Sequence, residues 1–172
     1  PAALDGHLAR REALEQRLLR LAQDQRLWPT VARLRCFRGV DALTALTLHL
    51  ELGGDWQRFS SPRRLAAWLG LTPSLSQSGP SSASGSITTT GSSLARRLLV
   101  EAAWHYMRQP RIGATLTNRQ AGQPDHVLQT PGAPNTDCTA SITAARRGKP
   151  HLTTVAVARE LSGFLWAAAT AP

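Results

Sequence analysis

A chain of 172 residues is long enough for one compact domain with a real core and too short for two large ones. Its formal charge of +9 is carried almost wholly by arginine, since Lys149 is the only lysine. A planar, permanently ionised guanidinium favours a polyanionic partner, nucleic acid above all, although compositional bias in coding DNA produces the same excess. No apolar run reaches membrane-spanning length and no signal peptide opens the chain, so a membrane role is not expected.

Cys36 and Cys138 stand in no zinc-like spacing and read as a core residue and an incidental one, in keeping with a reducing cytoplasm. The chain begins at proline rather than methionine, as a fragment of a longer protein does. Asp5 to Trp28 is helical by composition, with Leu4, Leu8, Leu14, Leu18, Leu21 and Trp28 recurring at spacings of three, four or seven over much of its length. It is either the end of a coiled-coil arm or an amphipathic helix packed on its own domain.

A short helix from Thr30 to Arg35 leads into Cys36-Phe37-Arg38-Gly39-Val40-Asp41, and Ala42 to Leu50 forms an apolar helix with Leu43, Leu46 and Leu50 on one stripe. Helix, tight turn with an early glycine, helix is the plan of a helix-hairpin-helix, in which Gly39 and the amide of Val40 approach a phosphate and Arg38 adds charge. The usual second glycine is replaced by Asp41, which caps the helix but repels phosphate, so a plain helical connection stays open. Ser61-Pro62 then starts a helix whose apolar face is Leu65, Ala66, Trp68 and Leu69. Arg63 and Arg64 in its first turn oppose the helix dipole, either to bind phosphate or simply because water solvates them.

Thr72 to Ser93 is rich in serine, with Gly79, Pro80 and Gly85, and is expected to form no regular element; it reads as a flexible linker, except that Ile87-Thr88-Thr89-Thr90-Gly91 looks structured. Leu94 to Arg108 is a strong helix, capped by Ser92 or Ser93, with Leu94, Leu98, Leu99, Ala102, Trp104 and Tyr106 as its expected buried face. Arg96 and Arg97 open it, and with Arg38, Arg63 and Arg64 they form one basic surface if these elements pack together. His105 reads as packed or surface histidine rather than a proton carrier. From Asn118 to Ala145 the periodicity vanishes, before a last apolar helix over Val155 to Ala169 with Val155, Ala158, Leu161, Leu165 and Trp166 on its face.

The order of LRCFRGVDALTALTLHLELG, FSSPRRLAAWLGLTPS, QSG, GSITTTGSSLARRLLVEAAWHY, GKP and VAVARELSGFLWA resembles the C-terminal domain of bacterial insertion-sequence transposases of the DEDD/serine, bridge-RNA-guided class. The resemblance runs collinearly through most of residues 34–168. It implies a helical arm over residues 1–29 and a C-terminal transposase domain over 30–172. This is a mainly α fold, with a helix-hairpin-helix-containing helical domain and a long serine-rich loop. It also implies DNA cleavage and rejoining during transposition, with Ser78, before Gly79, as nucleophile. Arg96 and Arg97 are the candidates to stabilise the phosphorane. DNA, a structured guide RNA and a homo-oligomeric assembly are the implied partners, in a bacterial cytoplasm. Mg²⁺ is implied only for an acidic N-terminal domain, which the eleven scattered carboxylates of this chain do not supply.

Two further differences stand out. Ser81, Ser82, Ala83, Ser84 and Thr89 occupy places where relatives carry basic residues, and 118–145 replaces an arginine-rich helix. One codon choice for LQTPGAPNTDC, read in another frame, encodes Ala-Asn-Ala-Trp-Arg-Ala-Lys-His-Arg-Leu, so 118–145 is expected to be irregular or out of frame. On this reading the chain is a truncated copy of a mobile element, and whether it is active or inactive stays open. The rival is a non-catalytic helix-hairpin-helix module that binds nucleic acid.

Overall fold

Side-chain caps and glycine stops set the helix boundaries. The computed structural model describes residues 2–78, 81–108, 113–128 and 150–171, with the backbone alone for 75–78, 81–84, 126 and 150. Among these residues the chain is mainly helical. Its elements are α1 (Ala2–Ala22), α2 (Trp28–Leu34), α3 (Ala42–Glu51), α4 (Pro62–Trp68), α5 (Ser93–Trp104) with a 3₁₀ turn (His105–Met107), α6 (Ala114–Gln120), α7 (Asp125–Leu128) and α8 (Pro150–Thr170). Two antiparallel strands, β1 (Pro73–Ser78) and β2 (Ser81–Ile87), lie between α4 and α5.

The caps expected from sequence are in place. Asp41 accepts from the Thr44 amide at 2.7 Å, Ser61 from Arg64 at 3.4 Å and Ser92 from Ala95 at 3.1 Å. At the end of α4, Gly70 takes a left-handed conformation (φ 68°), its amide bonds to Ala67 and that of Leu71 to Ala66, which is the Schellman pattern. Gly53 and Gly54 end α3 in the same way, through Leu50 and His49.

The core forms where α8 packs across α4 and α5, with α2 and α3 completing it. Leu161 and Leu165 of α8 are fully buried with Leu65, Leu69 and Leu99. Trp166 ties α8 to the link between α3 and α4 by donating its indole N–H to the Trp56 and Phe59 carbonyls at 3.1 Å. Cys36 is buried, and its thiol is pushed up to about 11, chiefly by that burial. Cys138 lies outside the described residues.

Several expectations are corrected. On α3 the buried residues are Ala45, Leu46, Leu48 and His49, while Leu50 is exposed. Apolar residues spread over most of the circumference of this helix, leaving only Thr44, Thr47 and Glu51 as a narrow polar side, so periodicity does not fix the centre of the buried face. On α5, Trp104 is exposed and the core side is Ala95, Leu99, Ala102 and Ala103, while Tyr106 in the 3₁₀ turn that follows is buried as expected. The serine-rich stretch is not wholly irregular: β1 and β2 pair from Pro73↔Ile87 to Ser78↔Ser81, with a register irregularity between Pro73 and Leu75. Residues 118–128 include the end of α6 and α7, with Val127 buried; 129–145 lies outside the described residues. The last helix starts five residues earlier than expected, at Pro150. Leu4, Leu8, Leu14, Leu18 and Leu21 are 41–62% exposed and only Ala22 of α1 is buried, so the leucine stripe of α1 is not packed on this domain.

Inside the core, the Trp56 indole N–H donates to His49 Nδ1 at 3.0 Å, which requires neutral imidazole. Burial lowers the His49 pKa below its ordinary 6.5. The unfolded chain therefore takes up this proton first, and stability present above about pH 6.5 is lost as pH falls through the folded value. Denaturant melts at pH 7.5 and 5.5 should show the loss, and His49→Gln should reduce the difference.

Candidate functional site

Two features single out one region: the serine-bearing hairpin and the arginines around its root. The hairpin leaves the body at the end of α4 and returns into the start of α5. At the root, the Thr88 amide donates to Thr72 O at 3.0 Å and the Thr89 amide to Gly70 O at 3.2 Å. Thr90 Oγ1 donates to Ala67 O at 3.2 Å, and the Ser92 hydroxyl donates to the Glu51 carboxylate, linking the root to α3. Thr89 has φ 54°, a left-handed conformation that opposes a β-branched side chain and persists only where its neighbours hold it.

Arg96 supplies much of that hold. Its Nη1 donates to Leu69 O at 2.9 Å and to Thr90 O at 2.7 Å. A cation at the start of α5 is unfavourable for α5 itself, but here it meets the carbonyl end of α4, where positive charge stabilises. Arg97 points elsewhere and pairs with Glu101 at 3.6 Å on the exposed side of α5.

Ser78 lies at the far end of β1, five residues beyond Pro73 at the root, or about 17 Å of strand. Gly79 lies outside the described residues. Arg96 is therefore committed to the root while Ser78 stands at the opposite end of the hairpin.

Arg38 and Gly39 have a different setting. Arg38 donates to the His105 carbonyl and to Arg108 O (3.3 Å), and its guanidinium lies 5.2 Å from the Tyr106 ring centroid. Gly39 has φ 76°, and a Cβ there would stand 2.6 Å from Ala102 O. Val40 is fully buried; its amide donates to Phe37 O at 3.2 Å and its carbonyl accepts from Arg119 Nη1 at 3.1 Å. The turn thus approaches protein backbone closely. Arg38 and Arg96 serve opposite ends of α5, nine residues or about 14 Å of helix apart, so the expected single basic surface splits.

Arg63 and Arg64 are exposed in the first turn of α4. Arg63 lines a groove of about 850 Å³ between α4, the hairpin root and α8, together with Arg159 and Glu160 of α8 and the apolar Leu71, Ile87 and Phe164. Arg159 does not stand out in the sequence, because helical spacing assigns it only to the polar face of α8. Arg33, which donates to Ala171 O at 2.6 Å, escapes notice for another reason: its partner is 138 residues away.

The resemblance implies Mg²⁺ only for a preceding domain. Among the described residues no three His, Cys, Asp or Glu converge, and Asp41 and Glu51 are engaged by Thr44 and Ser92.

A mainly helical body with a hairpin clamped at its root defines the class only broadly, and sequence comparison gives the family. Residues 31–117 match the model of the transposase IS116/IS110/IS902 family. The chain is 38% identical over 164 residues to a Sinorhizobium fredii protein that carries the name of a transposase, y4qE. That alignment covers 94% of this chain and 42% of the relative, so the chain spans under half of the relative's length. The chain belongs to the IS116/IS110/IS902 transposase family.

Packing roles and surface roles separate by mutation. Gly39→Ala meets both a left-handed φ and the Ala102 backbone, and should destabilise by about 2 kcal/mol or more. Arg38→Ala and Arg96→Ala each lose charged hydrogen bonds and should cost about 1–2 kcal/mol, whereas Arg63→Ala should stay within about 0.5 kcal/mol in the same melts.

Proposed function

We propose that this chain is the C-terminal transposase part of a serine-nucleophile, bridge-RNA-guided DNA recombinase, with residues 1–29 as the arm that joins it to the rest of such an enzyme. The observation that carries the reading is the hairpin: a two-stranded projection, clamped at its root by Arg96 and Thr88–Thr90, with Ser78 at its far end. A projecting strand pair can carry a hydroxyl to a phosphodiester that the body itself does not enclose.

Ser78 would attack the phosphorus, releasing the 3′ or 5′ oxygen of the cut strand and storing the phosphodiester energy in a protein–DNA ester for rejoining. Arg63 and Arg159 line the groove at the hairpin root and Arg64 is exposed beside Arg63 in α4; we assign these three the phosphate backbone, with Arg97 a weaker candidate because of Glu101. The unit of α2, turn and α3 as a helix-hairpin-helix would bring Arg38, Gly39 and Val40 to a phosphate. Their protein neighbours lead us to assign that turn a packing role in this chain. Guide RNA and oligomeric assembly enter the reading through the resemblance alone.

The second reading, a non-catalytic nucleic-acid module, is favoured by one observation: Arg96 is committed to the hairpin root, from which Ser78 lies about 17 Å along the strand. Two measurements separate the readings. Binding of duplex DNA should weaken about tenfold or more with salt between 50 and 200 mM, and the Arg63→Ala/Arg64→Ala pair should flatten the log–log slope by about 2. Trapping on a nicked DNA substrate should yield a covalent adduct that Ser78→Ala abolishes. Salt-dependent binding with no adduct leaves the module reading. The frame of 118–145 is decided by the gene's nucleotide sequence: if no alternative frame encodes the tryptophan-containing helix, the frameshift idea falls.

A further inference from the structure

Apart from the hairpin and its root, α2 and α6 enclose a pocket of about 430 Å³ lined by Trp28, Arg35, Thr115, Asn118, Arg119 and Gln123, with two alanines. Two guanidinium groups converge there without a carboxylate between them. Arg35 lies 5.3 Å from the Trp28 ring centroid, and its buried Nε–H has no acceptor among the described residues. A buried donor of this kind is costly unless something supplies the missing acceptor.

No lining residue supplies the counter-charge. Asp41, the one carboxylate that acts favourably on Arg35, is engaged in capping α3. The Cys36 thiol, raised to about 11, stays protonated at neutral pH. Burial and the charge of Arg119 together push the Arg35 pKa down, the mark of a cation lacking a partner anion. Arg119 is anchored by its bond to Val40 O, and Gln120 by its bond to Cys36 O at 3.0 Å, so α6 is held firmly against the α2 end.

We propose that this pocket binds an unpaired nucleotide of a single-stranded nucleic acid, with its phosphate between Arg35 and Arg119 and its base on the exposed part of Trp28. An anion there would accept from the orphaned Arg35 donor and relieve the repulsion between the two guanidiniums. Trp28 is 37% exposed, which leaves ring surface for a base beyond that covered by Arg35. Thr115, Asn118 and Gln123 offer hydrogen bonds to base edges or sugar. A pocket lined by two cations, an indole and three polar side chains suits a nucleotide better than it suits an apolar ligand. The proposal rests on the nucleic-acid reading of the family but not on Ser78 or on duplex binding at the groove.

The test uses the 172-residue chain and three probes: pentathymidylate, pentauridylate and inorganic phosphate. Binding is read by tryptophan fluorescence with Trp28→Phe as the reference, and by anisotropy of the labelled oligonucleotides. Either oligonucleotide should bind at least about tenfold more tightly than phosphate. Trp28→Ala should weaken it about five- to a hundredfold. Arg35→Gln should weaken it about tenfold and reduce the salt slope by about 0.7. Arg119→Lys, which keeps a donor for Val40 O, guards against loss of the fold and should weaken binding less than Arg35→Gln. Preference for one oligonucleotide identifies the strand as DNA or RNA. Oligonucleotides no tighter than phosphate, or unaffected by Trp28→Ala and Arg35→Gln, overturn the proposal. Duplex binding that survives Trp28→Ala but fails in the Arg63→Ala/Arg64→Ala pair keeps the two sites distinct. Lack of an adduct in the trapping experiment bears on Ser78 alone.

Discussion

Guanidinium groups on backbone carbonyls at helix C-termini are the interaction on which this structure depends. Arg96 caps the end of α4 through Leu69 O, Arg38 the end of α5 through His105 O, and Arg33 the end of α8 through Ala171 O. Each helix end carries unsatisfied carbonyls and the negative pole of its dipole, and arginine answers both with one planar, always charged group. Short helices such as α4, seven residues long, have little cooperativity of their own, so their ends must be held by tertiary contacts.

This changes what the basic composition means. Five arginines, at 33, 35, 38, 96 and 119, are engaged within the fold by carbonyls or aromatic rings, and the exposed Arg58 stacks on both Phe59 and Trp68. The charge left for a polyanion is smaller than +9 suggests, and beside the hairpin root it is carried by Arg63, Arg64 and Arg159. Arg35 is the exception within the internal set, since one of its buried donors has no acceptor among the described residues. Function is therefore better sought in where an arginine lacks a partner than in how many arginines there are.

The hairpin shows the same economy of support. Its strands run through serines, with little hydrophobic alternation in the sequence. What defines it is the root, where Gly70, the strained Thr89, Thr90 and Arg96 hold α4 and α5 against each other. A projection fixed at its base and polar along its length leaves the body free to pack as an ordinary helical domain.

By itself the sequence determined the local signals: the helices, the Asp41, Ser61 and Ser92 caps, the glycine stops, and the collinear motifs by which the family could be named. Those depend on neighbours within a few residues, or on residue order alone. It did not determine which side of α3 turns inward, because apolar residues cover most of that helix, nor that Trp104 of α5 stays exposed while Tyr106 is buried as expected. Strand pairing in the serine stretch was hidden because serine carries no period-two signal. The carbonyl partners of Arg33, Arg38 and Arg96 were decided only by tertiary structure, since they lie 27 to 138 residues away and no spacing along the chain records such contacts.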